Sequence, residues 1–347
     1  MRPEPPPAAL RLAIDGDALA ANWRALDALS GAAAAGAAVK ADAYGLGVAR
    51  TVPALWQAGC RDFYVAHWAE VAPVAARVPP GAVGVLHGPL TPVEAAYAKA
   101  VGVRPVINSL HQAQVWHNAG GGVCDLMVDT GINRLGLPLE DIGHALIQQL
   151  EIDVLLSHLA SADEDSPLNA VQLSRWQDAR RAVAHRRASL ANSAGITLGN
   201  TYHGDLTRPG IALYGGVPCA ALEGLIRQVL RPEAAVMQVR TLKSGDSVGY
   251  NATFVADRTM RVGVVSLGYE DGYLRCWSGK GAMLAGGRRL SALGRVSMDM
   301  TVIDLSAAPD VTEGDWVAVD YDLPRASAIS GLSQYELLTL MGRRFAR

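Results

Sequence analysis

The chain has no charge excess, no paired thiols and no apolar run of membrane length, and each shortage removes a class of function. Its 347 residues carry 31 basic and 33 acidic side chains, a net charge of −2. No basic run offers a footprint for nucleic acid or an anionic membrane. No apolar stretch reaches the ~18 residues that a membrane span needs. The four cysteines (Cys60, Cys124, Cys219 and Cys276) are widely spaced and form no CxxC pair. That argues against a disulfide framework or a thiolate metal site and for buried free thiols in a reducing cytoplasm. The opening Met1-Arg-Pro-Glu-Pro-Pro-Pro lacks an apolar h-region. It reads as a short flexible lead-in and not as a signal peptide, so a soluble cytoplasmic protein is expected. There are no internal repeats.

Half of the residues are hydrophobic and 18% are charged, which assures a sizeable core and makes disorder untenable. The length suits two domains, one of them large enough for an α/β barrel. From about residue 10 to 225, short apolar strands alternate with helix-like stretches. The strands are expected at Gly36–Lys40, Asp62–Ala66, Val83–His87, Arg104–Ile107, Leu126–Asp129, Val154–His158, Leu190–Asn192 and Gly210–Tyr214. Amphipathic segments such as Gly16–Leu29, Val93–Ala100, Leu110–Asn118 and Asn169–Arg187 lie between them. This alternation predicts parallel βα units with functional groups at strand C-terminal ends, in a closed barrel or an open doubly wound sheet. After about Arg231 the texture becomes valine-rich runs separated by Gly-Asp, Gly-Gly and Glu-Gly-Asp turns, which predicts an antiparallel β domain.

The most informative segment is Gly36-Ala-Ala-Val-Lys40-Ala-Asp-Ala-Tyr44-Gly-Leu-Gly47. A short apolar strand ends at a lysine, and a glycine-broken loop follows. An amine held there loses its proton at small cost and becomes a nucleophile for aldehydes. The string resembles the lysine motif of the alanine racemases, in which Val-Lys-Ala-Asp-Ala-Tyr-Gly carries pyridoxal 5'-phosphate as a Schiff base. A second string, Ser266-Leu-Gly-Tyr269-Glu-Asp-Gly-Tyr273, is similar to that family's Gly-Tyr-x-Asp-Gly motif. The matches run in family order from Lys40 to Tyr335.

The resemblance implies a (β/α)8 TIM-type barrel over residues 1–230 that binds the cofactor, and a β domain over 231–347 that reaches the active site of a partner subunit. It implies a head-to-tail homodimer interconverting L- and D-alanine by two bases and supplying D-alanine for peptidoglycan. Lys40 would serve one face of the substrate and Tyr269 the other. A free phenol has a pKa of about 10, so making it a base at neutral pH takes roughly 3–4 kcal/mol of differential stabilisation. His158, in Leu156-Ser-His-Leu-Ala, would link Tyr269 to the cationic Arg208. Arg208, in Thr207-Arg-Pro-Gly, would face the pyridine nitrogen and leave it unprotonated, since guanidinium keeps its protons. Tyr44, Ser193 (in Asn192-Ser-Ala-Gly), Gly210 and Ile211 would cradle the phosphate. Arg134 and Met298 would hold the substrate carboxylate, and Tyr335 would narrow the pocket near the methyl group.

One position departs from the commonest family pattern. Met127 stands where many members carry a carbamylated lysine that orients the arginine. The expected replacement is a bound anion such as chloride near Arg134, held in part by the amide of Asn133. Three other readings stay open. One is a related racemase of serine or of broader specificity. Another is a similar decarboxylase or lyase, for which Cys276 is the only candidate active-site cysteine. The third is a non-catalytic carrier of the cofactor, which would have no use for the β domain.

Overall fold

The computed structural model describes residue 6, residues 8–342 and residues 344–345; most of the proline-rich lead-in lies outside the described residues. The chain divides into two units, one formed by Gly16–Arg227 and the other by the chain up to Asp15 together with everything from Gln228. The division expected at residue 230 lies close to the second boundary. The opening strand, Leu10–Ile14, belongs with the β unit, where it pairs antiparallel with Leu230–Leu242.

In the first unit, the first stave of the barrel is broken by Gly36 into Ala34–Ala35 and Ala37–Ala38. Phe63–Val65, Val83–Val85, Arg104–Ile107, Val123–Met127, Glu151–Leu156 and Arg187–Ser189 follow, each parallel to the one before. Leu206–Thr207 pairs in parallel with Ala34–Ala35. Its flanks reach the other neighbour through Asp205 N to Ala188 O and Arg208 N to Ala191 O, both 2.8 Å. The sheet therefore closes as an eight-staved barrel. Two expected strands are corrected: the seventh is Arg187–Ser189, not Leu190–Asn192, and the eighth is Leu206–Thr207, not Gly210–Tyr214. Pro209 has no N–H to continue the ladder, and Ile211–Tyr214 is a fully buried 3-10 turn. A short apolar run is buried in either form, so its periodicity does not distinguish them.

Tyr64, Val106, Met127, Val154, Leu156 and Leu206 fill the barrel interior. Gly84 has no side chain because the Tyr64 ring takes the space that a Cβ would need. At or near the N-terminal ends of the strands, a network of buried and part-buried charges ties five staves together. Arg104 binds Asp62 (3.0 Å) and Asp125 (3.2 Å), and Arg187 binds Asp62 (2.8 Å) and Asp153 (2.7 Å). The flanking helices carry explicit start signals. In Thr91-Pro92-Val-Glu94, the Thr91 hydroxyl accepts from Glu94 N while Glu94 accepts from Thr91 N, which caps Pro92–Val101.

The β unit is an antiparallel sheet that also closes. Leu230–Leu242, Met260–Val265, Thr301–Asp304, Arg288–Leu293, Ala282–Ala285 and Trp316–Val319 pair in that order, and the last returns to the first. The long strand makes this possible with a register shift between Val236 and Gln238, a bulge that lets its two halves pair with different neighbours. Closure leaves few open edges. No helix among the described residues is long and apolar enough to cross a membrane. Cys60 and Cys124 are buried as expected; Cys219 and Cys276 are only partly so.

Candidate active site

Lys40 follows directly on the first barrel stave, whose path is set by Val39 N donating to Tyr64 O at 2.8 Å. The next four residues, Ala41 to Tyr44, all have φ between 52° and 56°. This is a left-handed helical turn without glycine, a conformation costing roughly 1–2 kcal/mol per L-residue. Two carboxylates hold it in place. Glu70 accepts from Ala41 N (2.6 Å), Ala66 N (2.7 Å) and His67 N (3.0 Å), and Asp42 accepts from Val48 N (2.8 Å). Burial, aided by the positive charges of Arg134 and Arg208 and opposed by Glu70, lowers the pKa of Lys40 below the usual ammonium range.

Tyr44 lies buried, stacked on Tyr214 with ring centroids 4.9 Å apart. Its phenolic oxygen occupies the place where a Cβ on residue 210 would stand, so Gly210 must be glycine for the two to meet. Ser193 Oγ accepts from Gly210 N (2.9 Å) and Ala212 N (3.3 Å). With both lone pairs engaged, its own proton is left to donate. Ile211 sits between these two amides and is buried. A phenol and a serine hydroxyl thus converge on Gly210 beyond the last two staves, with the Ser193 proton left to donate, a donor set suited to an anion.

Arg208 is buried and donates to Ser157 O (2.6 Å), Ser189 O (2.9 Å) and Ser189 Oγ, with its guanidinium 6.0 Å from the centre of the Tyr64 ring. Among the described residues these are the only hydrogen bonds of its side chain, and none is to a carboxylate. Burial pulls its pKa down. His158 stands two residues past its strand, and burial with the charges of Arg208, Arg134 and Lys40 depresses its pKa to about 3. It is neutral at physiological pH. The Arg208–His158 link is electrostatic: no hydrogen bond joins the two side chains among the described residues.

Arg134 and Asn133 occupy an exposed loop whose shape comes from Asp129. That carboxylate accepts from Gly131 N (2.8 Å), Asn133 N (3.2 Å) and Arg134 N (3.1 Å). Asn133 is left-handed, with φ 54°. The backbone amide of Asn133 is thus already engaged. Met127 is packed among the apolar side chains of the barrel interior.

Tyr269 and Met298 are brought together within the β unit. Val265 pairs with Thr301 on adjacent antiparallel strands, so the segment after one and the segment before the other leave the sheet at the same end. Tyr269 N donates to Ser297 O (3.0 Å) and Glu270 N to Met298 O (3.1 Å). Gly268 permits this approach, because a Cβ there would collide with the Met298 carbonyl. Arg275 lies over the Tyr269 ring, 5.3 Å from its centre. Met298 and Tyr335 are both about half exposed, and Tyr335 lies in the first turn of the helix Gln334–Thr339, capped by Ser333 and Glu336.

Two groups that position the site escape a reading of motifs. Glu70 fixes the Lys40 turn. Gln172 donates to Thr130 Oγ1 (3.2 Å) and to the carbonyl of His158 (3.0 Å). Glu70 was within reach of sequence, since His67-Trp-Ala-Glu70 has the spacing of a helix-start box; Gln172 gives no local signal.

A family description of the alanine racemase N-terminal domain matches residues 14–218, and one of the C-terminal domain matches residues 229–347. The chain belongs to the alanine racemase family. It is 41% identical to an alanine racemase of Methylobacterium nodulans, over 97% of this chain and 95% of that one. Catabolic and biosynthetic alanine racemases of Agrobacterium fabrum are 40% and 38% identical; the alignments cover 97% and 98% of this chain and 91% and 93% of theirs. Among solved structures, the alanine racemase of Bartonella henselae with covalently bound pyridoxal phosphate superposes with a TM-score of 0.90 at 33% identity, over 98% of this chain and 99% of that one.

Proposed function

We propose that the protein interconverts L- and D-alanine with pyridoxal 5'-phosphate held on Lys40. The observation that carries this reading is the cradle at Gly210, where the Tyr44 phenol, the Ser193 hydroxyl and the missing Cβ make an anion site beside a lysine of lowered pKa. The residues fit the cofactor: Tyr44, Ser193, Gly210 and Ile211 would hold its phosphate, and Arg208 its ring nitrogen. When bound, the cofactor supplies an electron sink that acidifies the substrate Cα–H. A guanidinium at the ring nitrogen gives that nitrogen no proton, which weakens the sink and favours prompt return of the proton over side reactions.

Lys40 Nζ takes or gives the proton on one face of Cα and Tyr269 Oη on the other. His158, neutral and beside Arg208, would connect the phenol to that cation. Arg134 and the Met298 segment would bind the carboxylate, and Tyr335 would border the methyl group. Tyr269 and Met298 lie on the β unit, whereas Lys40 and the cradle at Gly210 lie on the barrel unit. A head-to-tail homodimer, each β unit serving the partner's barrel, gives them a use. Near Arg134 a chloride would take the place of a carbamylated lysine, with the side-chain amide of Asn133 as the available donor. Crystals grown in bromide should show an anomalous peak there, and a blank map would remove the anion. Supply of D-alanine for peptidoglycan in the cytoplasm is the role this chemistry suits.

The test is incubation of the cofactor-loaded protein with L-alanine in D₂O, followed by optical rotation and NMR. Rotation decaying to zero with deuterium at Cα in both isomers is the expected result. Deuterium uptake with retained L configuration would contradict the two-base assignment. The same run with L-serine separates an alanine enzyme from a broader one.

A further inference from the structure

The segment that carries Tyr269 is held by the end of the chain. Asp271, two residues on, is buried, and its two carboxylate oxygens face different ways. Oδ2 accepts from Gly268 N at 2.9 Å and closes the turn Tyr269–Asp271; Oδ1 accepts from Arg344 Nε at 2.7 Å. The same guanidinium donates through Nη1 to Asp299 Oδ1, also at 2.7 Å. One side chain therefore bridges the turn bearing Tyr269 and the loop bearing Met298. The backbone arrives with it: Gly342 N donates to Asp271 O at 3.1 Å. Two glycines keep the approach open. A Cβ on Gly272 would collide with the Leu340 carbonyl, and one on Gly342 would lie 2.8 Å from Glu270 O.

We propose that Arg344 is a positioning residue that sets the placement of the Tyr269 phenol, through Asp271 on one side and Asp299 on the other. The inference rests on Tyr269 being one of the two proton carriers. A guanidinium suits the task because its planar donors fix two carboxylates in one geometry, which a flexible ammonium does not. Burial raises the pKa of Asp271, with Arg344 opposing that shift. The bridge thus also keeps the turn's carboxylate in its accepting form.

The experiment uses the cofactor-loaded enzyme and the variants Arg344→Met, Arg344→Lys, Asp299→Asn and Tyr269→Phe. L- and D-alanine are mirror images with equal free energies, so kcat/KM must fall equally in both directions for any variant. Direction is read instead from isotope effects with Cα-deuterated substrates. If Arg344 places Tyr269, kcat in R344M falls by roughly 10- to 100-fold, the range for a misplaced catalytic group. The isotope effect on L-alanine, whose proton goes to Tyr269, rises while that on D-alanine does not. R344K recovers part of the loss, D299N shows a milder form of it, and amide exchange quickens in residues 268–273 and 297–300 without a fall in melting temperature. Isotope effects in R344M that rise equally in both directions, or that stay as in the wild type, would overturn the proposal while leaving the two-base reading intact. Wild-type racemisation by Y269F would overturn both.

Discussion

The turn after Lys40 shows how a single residue's conformation depends on distant partners. Four successive left-handed residues are disfavoured by local sterics, and Ala-Asp-Ala-Tyr contains nothing that invites them. What stabilises them is Glu70, twenty-nine residues away, whose carboxylate collects three backbone donors. Replacing Glu70 by alanine should leave those donors to water and let the turn relax. Cofactor affinity, followed by fluorescence titration, is expected to fall at least ~10-fold, as for the loss of one or two charge-assisted hydrogen bonds. Conversely, Ala41→Gly at an exposed position should raise stability by up to ~1 kcal/mol, the relief of left-handed strain less the added chain entropy. Urea midpoints would measure it. The lysine itself was legible because its chemistry is written in the motif. The strain around it was not, because it comes from tertiary contacts.

His158 gives the same scale a pH signature. Its pKa is held at about 3 in the fold, below the ~6.5 of an unfolded histidine. Between those values the unfolded chain binds a proton that the folded chain refuses, so stability rises with pH across the window and is lost as pH falls through it. The loss is at most ~1.4 kcal/mol per pH unit. Urea melts of the cofactor-free chain at several pH values should show a shallower acid slope for His158→Gln than for the parent. Equal slopes would mean that His158 titrates normally.

At the scale of elements, alternation of apolar and amphipathic segments was enough to predict parallel βα units. The helices Gly16–Leu29 and Leu110–Asn118 begin and end where their patterns do, whereas the segment expected at Asn169–Arg187 stops at Ala182. The seventh and eighth strands were displaced because Leu190–Asn192 and Gly210–Tyr214 are apolar through burial, which does not mark where regular pairing begins and ends. Leu190 packs in the core against Trp176 and Leu159, and Ile211–Tyr214 is buried as a 3-10 turn. The function of Gly210 depends on that geometry. A Cβ there collides with the Tyr44 oxygen, so Gly210→Ala should expel the phenol and weaken cofactor binding by about tenfold or more, a moderate overpacking cost. The control is the double variant with Tyr44→Phe, in which the clash partly disappears. If the two losses simply add, the cradle is not a coupled unit.

For the whole molecule, the β texture after Arg231 was visible in composition, whereas the place of Leu10–Ile14 in that unit was not. A strand that pairs with a partner more than two hundred residues away carries no local sign of it. The proposed sharing of each active site between two subunits would likewise be a property of the assembly, and it has a test in subunit mixing. Lys40→Ala and Tyr269→Phe each remove one proton carrier, so each homodimer should be nearly inert. In a mixed dimer built head to tail, the barrel of the Y269F chain keeps Lys40 and receives Tyr269 from the K40A chain, while the opposite site lacks both. Random pairing of equal amounts makes half of the dimers mixed, each with one intact site, so roughly a quarter of wild-type activity should return. Sites built from one chain alone would return none, because no chain in the mixture carries both groups. Mixing therefore separates the two architectures without depending on how strongly either variant is impaired.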